Sequence, residues 1–79
     1  MNTLINNIQI TNLSFDLEHC TMKAFFSDGK EIQISLLPYR GLKNATLNSL
    51  KKYELWDEGK WIHWEELDED LSAEVIYNS

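Results

Sequence analysis

Seventy-nine residues with a single cysteine and a single proline leave room for one small hydrophobic core, so the chain reads as one domain over 1–79, without an internal disulfide. An apolar fraction of 43% with three each of Trp, Tyr and Phe excludes a disordered tail, and no apolar run approaches the roughly 20 residues that cross a bilayer. Net charge is −6, from thirteen acids against seven bases, which disfavours direct binding to nucleic acid or to an anionic membrane and favours a basic partner.

The start, MNTLINNIQI, has neither the basic flank nor the long apolar stretch of a secretion leader. With an unpaired Cys20 this predicts a cytoplasmic protein. Apolar residues alternate at Ile8 and Ile10, then at Leu13, Phe15 and Leu17. The slip of phase between Ile10 and Leu13 predicts a bulge near Thr11 and Asn12.

The pattern resumes as Met22, Ala24 and Phe26, crosses Ser27-Asp28-Gly29-Lys30, and continues as Ile32, Ile34 and Leu36, which is a hairpin signal. A two-residue Asp28-Gly29 loop would place Phe25 opposite Ile32 and split the apolar residues between faces. A three-residue loop over Asp28-Gly29-Lys30, with Gly29 left-handed, pairs Phe26 with Ile32 and Ala24 with Ile34, and keeps all but Phe25 on one face. The three-residue loop is the expectation.

Pro38 and Gly41 mark a loop. Thr46 is a good N-cap for about two helical turns over Leu47 to Lys52, with Leu47 and Leu50 inward. Tyr53 to Trp56 and Trp61 to Trp64 flank Asp57-Glu58-Gly59-Lys60 as a second hairpin, and Ser72 caps a last short helix over Ala73 to Tyr77. The sum is an α+β domain, a small antiparallel meander packed against one or two short helices.

His63, flanked by Trp61 and Trp64 and followed by Glu65, Glu66, Asp68, Glu69 and Asp70, raises the question of metal or acid–base chemistry. Strand alternation puts His63 on the face of Trp61 and Glu65, away from Ile62 and Trp64. Zinc needs three or four converging His, Cys or carboxylate ligands, and calcium a glycine-punctuated oxygen loop; neither pattern is present in the sequence. The structural expectation is therefore that Ile62 and Trp64 fill the core and that a carboxylate or backbone carbonyl fixes His63. Asp68 or Asp70 would accept backbone N–H bonds in the following turn. Trp61 either packs internally or stays at the surface.

Adjacent strand residues His19 and Cys20 point to opposite faces, and the chain carries no Gly-rich phosphate loop and no GxSxG elbow. No enzymatic activity and no cofactor are expected.

From Phe26 to Ser72 the succession SDGK, IQISL, NAT, GKWIHW and ELDEDLS closely resembles a bacterial family of small proteins known as domain of unknown function 2442. The matching positions are Asp28-Gly29-Lys30, Ala45-Thr46, Gly59, Ile62-His63-Trp64 and Leu67-Asp68-Glu69-Asp70-Leu71-Ser72. The chain departs from common family usage at Arg40-Gly41, at Leu50 where arginine is frequent, at Trp61 where glycine is frequent, and at Glu65 where proline is frequent. The resemblance implies a small antiparallel sheet with helices and an accessory or antitoxin-like role beside toxin-like proteins.

From Glu54 to Glu74 there are nine acidic side chains against one base, Lys60. With the tryptophans, that asymmetry predicts an interaction module binding a basic or toxin-like protein through Trp61, His63, Glu65, Glu66 and Glu69. Two alternatives are an inhibitor that imitates nucleic acid by its charge and a small metal-dependent enzyme built on His63. The oligomeric state is left open.

Overall fold

A computed structural model describes residues 8–79. Most of the MNTLINNIQI start read for a leader therefore lies outside the described residues. The first three strands, β1 (Ile10–Asp16), β2 (Thr21–Phe26) and β3 (Glu31–Ser35), form an antiparallel meander. One-turn helices α1 (Arg40–Lys43) and α2 (Leu47–Leu50) follow. A second antiparallel meander is made by β4 (Glu54–Trp56), β5 (Trp61–Trp64) and β6 (Glu69–Ser72), and α3 (Ala73–Tyr77) closes the chain.

The α+β class stands, but the strands form two three-stranded sheets rather than one. The break falls where Pro38 and the two helices separate β3 from β4. Both sheets and all three helices contribute to one apolar cluster. It joins Leu13, Met22, Ala24 and Phe26 of the first sheet to Ile62, Trp64 and Leu71 of the second, with Leu42, Leu50 and Ile76 from the helices. Among the described residues no helix is long and apolar enough to cross a membrane.

The expected bulge is present, since the β1–β2 register shifts between Ile10 and Asn12. It allows Leu13 and Phe15 to oppose Ala24 and Met22 on the core face. The first hairpin corrects the expected register: Ala24 opposes Ile32 and Met22 opposes Ile34. The loop is Ser27-Asp28-Gly29, closed by Gly29 N–H to Phe26 O at 2.9 Å and Phe26 N–H to Lys30 O at 2.9 Å. In such a loop the left-handed residue comes third, so Gly29, at φ +95°, sets the frame one residue earlier than Asp28-Gly29-Lys30 would. A shift of two positions in pairing leaves the apolar residues on one face.

Thr46 caps α2 as expected, its Oγ1 accepting the Ser49 N–H at 3.1 Å. The helix stops at Leu50, two residues short of the expectation. Leu50 is buried, whereas Leu47 is 39% exposed and does not face inward as expected. The expected loop at Gly41 contains α1, where an added Cβ on Gly41 would lie 2.6 Å from Glu69 Cγ. At the other end, Ser72 Oγ accepts the Glu74 N–H at 3.1 Å and starts α3 over the expected span.

The two sheets are tied through the β4–β5 turn. Ile10 N–H donates to Gly59 O at 2.9 Å across the two sheets, while Ala73 N–H donates to Lys60 O at 2.9 Å and extends the β5–β6 pairing into the start of α3. Gly59 adopts φ +84°, and a Cβ there would lie 2.6 Å from the Ile10 carbonyl oxygen. This turn accepts only glycine at that position without a shift of backbone.

Candidate acidic and aromatic face of the second sheet

Period-2 alternation sorts the second sheet into two faces. Leu55, Ile62 and Leu71 form one cross-strand row toward the core, and Trp64 lies beside them with its indole Nε1–H donating to Leu50 O at 3.0 Å. That bond satisfies a carbonyl at the end of α2 and fixes a buried polar group. The outer face carries two rows, Glu54–His63–Asp70 and Trp56–Trp61–Ser72.

His63 lies in the middle of the first row, with a side chain only 14% exposed. Its Nδ1 is hydrogen-bonded to Asp70 Oδ1, and its Nε2 meets Glu65 Oε1 at 2.8 Å. Trp56 stacks on the imidazole with centroids 3.9 Å apart and an interplanar angle of 23°. A carboxylate at each ring nitrogen requires both nitrogens to donate, which is the imidazolium form. Hydrogen bonding to Glu65, then to Asp70, raises the His63 pKa above 6.5, against a smaller opposing effect of burial. The same two bonds engage both ring nitrogens, and the arrangement is that of an ion-pair cluster.

Trp56 and Trp61 oppose one another directly and remain 49% and 45% exposed. Together with Asp70 they line an open groove of about 260 Å³. Trp56 is held on the other side by its Nε1–H, which donates to Glu54 Oε1 at 2.9 Å. The face therefore presents two half-exposed indoles, Trp56 fixed by His63 and Glu54, with the Asp70 carboxylate between them.

The residues expected to bind a partner divide between this face and other roles. Trp61 and His63 lie on it, and Glu65 lies at its margin as a partner of His63. Glu66 is exposed and approaches Lys52 Nζ at 3.8 Å. Glu69 belongs to the inner parity of β6, and its Oε2 accepts the Gly41 N–H at 2.8 Å, so it ties α1 to the sheet instead of facing a partner.

Asp70 also departs from its expected role. It is a strand residue whose carboxylate holds His63, while Asp68 takes the left-handed turn position at φ 55°. Asp28 caps its own turn through Lys30 N–H at 3.0 Å and accepts the Tyr77 hydroxyl at 2.6 Å, docking α3 on the first hairpin. That hydroxyl lowers the Asp28 pKa.

Trp56 and Glu54 were not among the expected partner-binding residues. The signal for them is the four-residue loop Asp57–Lys60, which places Trp56 opposite Trp61 and Glu54 opposite His63.

Two further clusters stand apart. The Asp16, Glu18 and His19 side chains offer ligand atoms within 4.8 Å of one another in the exposed β1–β2 turn, where His19 Nδ1 already meets Asp16 Oδ2 at 2.8 Å. His19 and Cys20 lie in the β1–β2 turn rather than in a strand as expected; His19 Nδ1 is bound to Asp16 and the Cys20 thiol donates to Lys43 O at 3.7 Å, so they do not form a nucleophile–base pair. The larger groove, about 480 Å³, runs between β1 and α2 along Phe15, Leu47 and Tyr53. Polar residues Asn12, Ser14 and Lys51 also line it, and the Tyr53 hydroxyl donates to Asn12 Oδ1 at 3.2 Å.

A family model described as protein of unknown function (DUF2442) matches residues 10–79. No curated protein and no solved structure matches the chain.

Proposed function

The chain belongs to the DUF2442 family, and from that membership and the geometry of its second sheet we propose a non-enzymatic interaction module that captures a basic protein partner. The observation that carries this is the pair Trp56 and Trp61, nearly half exposed on a regular sheet face, with the Glu54 carboxylate on Trp56, Asp70 in the groove between the indoles and Glu65 at the margin on His63. Exposed indoles bury much area on binding, Trp56 being already held in place by His63 and Glu54, and the nearby negative charge accelerates encounter with a basic surface. An antitoxin-like role would be one regulatory use of such capture.

Affinity capture from extract of the native host, with wild-type chain and a Trp56→Ser/Trp61→Ser double variant as baits, tests the proposal. A protein retained by the wild type and lost from a variant with unchanged circular dichroism is expected. Equal retention on both baits would remove this face as the binding surface.

A further inference from the structure

We infer that the groove between Trp56, Trp61 and Asp70 receives an arginine side chain of the partner, an assignment that rests on the interaction module proposed above and names its anchoring contact. Three observations converge on a planar cation. The groove is bounded by two indoles, whose faces attract cations, and one face of Trp56 already carries the ring of His63.

Its third wall is a carboxylate with one oxygen spent and one available. Asp70 Oδ1 is bound to His63 Nδ1, while Oδ2 accepts no hydrogen bond among the described residues. Charge complementarity extends beyond the groove, since the segment from Glu54 to Glu74 holds nine acids and one base.

Arginine fits this set better than lysine. A guanidinium is flat, weakly hydrated and able to stack on an indole while its N–H groups reach a carboxylate oxygen in the ring plane. An ammonium is a compact, strongly hydrated charge that loses more water on entering an apolar groove. A neutral side chain of the same shape would lack the cation–indole attraction and bring no further positive charge to Asp70, whose Oδ1 is already paired with His63.

The test uses three pentapeptide amides of the form Gly-Ser-X-Ser-Gly, with X as arginine, lysine or citrulline, titrated at about 50 mM salt so that screening stays moderate. The indole N–H resonances of the three tryptophans are followed. Expected are saturable shifts of the Trp56 and Trp61 signals with the arginine peptide and no shift of Trp64. Weaker binding is expected for lysine and none for citrulline. Trp61→Ala should weaken the arginine peptide by about 3- to 30-fold, the size of a cation–indole contact. Asp70→Asn should abolish the preference for arginine over citrulline.

Equal affinity for arginine and lysine, or an unchanged affinity in Trp61→Ala, would overturn the assignment. The two proposals separate cleanly. A partner captured by wild type and lost from the double tryptophan variant, with no indole shift from the arginine peptide, rejects the arginine contact and retains the module. Arginine-dependent shifts together with equal capture on both baits reject the module's surface.

Discussion

His63 looks catalytic in sequence, and the structure gives each of its ring nitrogens a carboxylate partner. Glu65 follows it in the next turn, Asp70 faces it from β6, Glu54 faces it from β4, and Trp56 covers its ring. Because Glu65 first and Asp70 second raise its pKa, the folded state binds a proton that the unfolded chain releases near 6.5. That contribution to stability is complete below 6.5 and is lost as pH rises through the higher folded value. Both carboxylates are more than half exposed, so water moderates the effect. Thermal melts in steps from pH 6 to 9 should show a falling melting temperature that flattens in His63→Gln; a rise over that interval in wild type would contradict the ion-pair assignment.

The sequence exposed half of this site. Alternation along Trp61 to Trp64 was enough to separate the His63 side from Ile62 and Trp64. It was not enough to predict that Glu69 turns inward to Gly41 or that Asp70 pairs with His63, because both depend on β6 as a strand. Leu67 to Asp70 reads as an acidic turn, and the left-handed residue at Asp68 is what converts the following residues to a strand. Only cross-strand register brings Glu54 and Trp56 to the site.

At the scale of elements, the three helices are four or five residues long, too short to persist by their own propensity. Their ends are therefore decided by caps and by packing. Thr46 and Ser72 each supply a side-chain acceptor, and both were legible as caps because a polar residue precedes an apolar pair at helical spacing. Thr46→Ala and Ser72→Ala should each cost about 1 kcal/mol in urea unfolding. They lie on different elements, so a double variant should lose the sum to within about 0.5 kcal/mol.

The first hairpin was misread by register although its composition was read correctly. Glycine was recognised as the left-handed residue but placed in the middle of the loop, whereas the loop geometry demands it at the end. The one-turn helix at Arg40–Lys43 left no trace in the sequence because Pro38 and Gly41 are loop signals. Its position is set by the Glu69 carboxylate, a contact across 28 residues.

For the whole molecule, two contiguous meanders share one core, and net stability for a chain of this length is on the order of 4–12 kcal/mol. Two glycines with positive φ allow conformation and contact to be weighed separately. Nothing lies within 4 Å of an added Cβ at Gly29, whereas at Gly59 the Ile10 carbonyl oxygen lies 2.6 Å away. Gly29→Ala should cost about 1–2 kcal/mol for its left-handed backbone alone. Gly59→Ala should cost about 2–5 kcal/mol, because overlap with the first sheet adds to the same backbone term. Denaturant midpoints would rank them, and equal losses would show that the close approach at Gly59 relaxes freely.

The backbone clasp at the β4–β5 turn makes the attachment of one half of the molecule to the other directly observable. Most amide hydrogens of the strands are held by neighbours within their own meander, so they remain protected while either meander survives. Ile10 donates to Gly59 instead, across the seam between the sheets. Its hydrogen-exchange rate should therefore follow separation of the halves, and should quicken in Gly59→Ala more than the amides of Ala24 or Ile62. One nitrogen thus serves as a gauge of whether this chain opens at its seam before it unfolds.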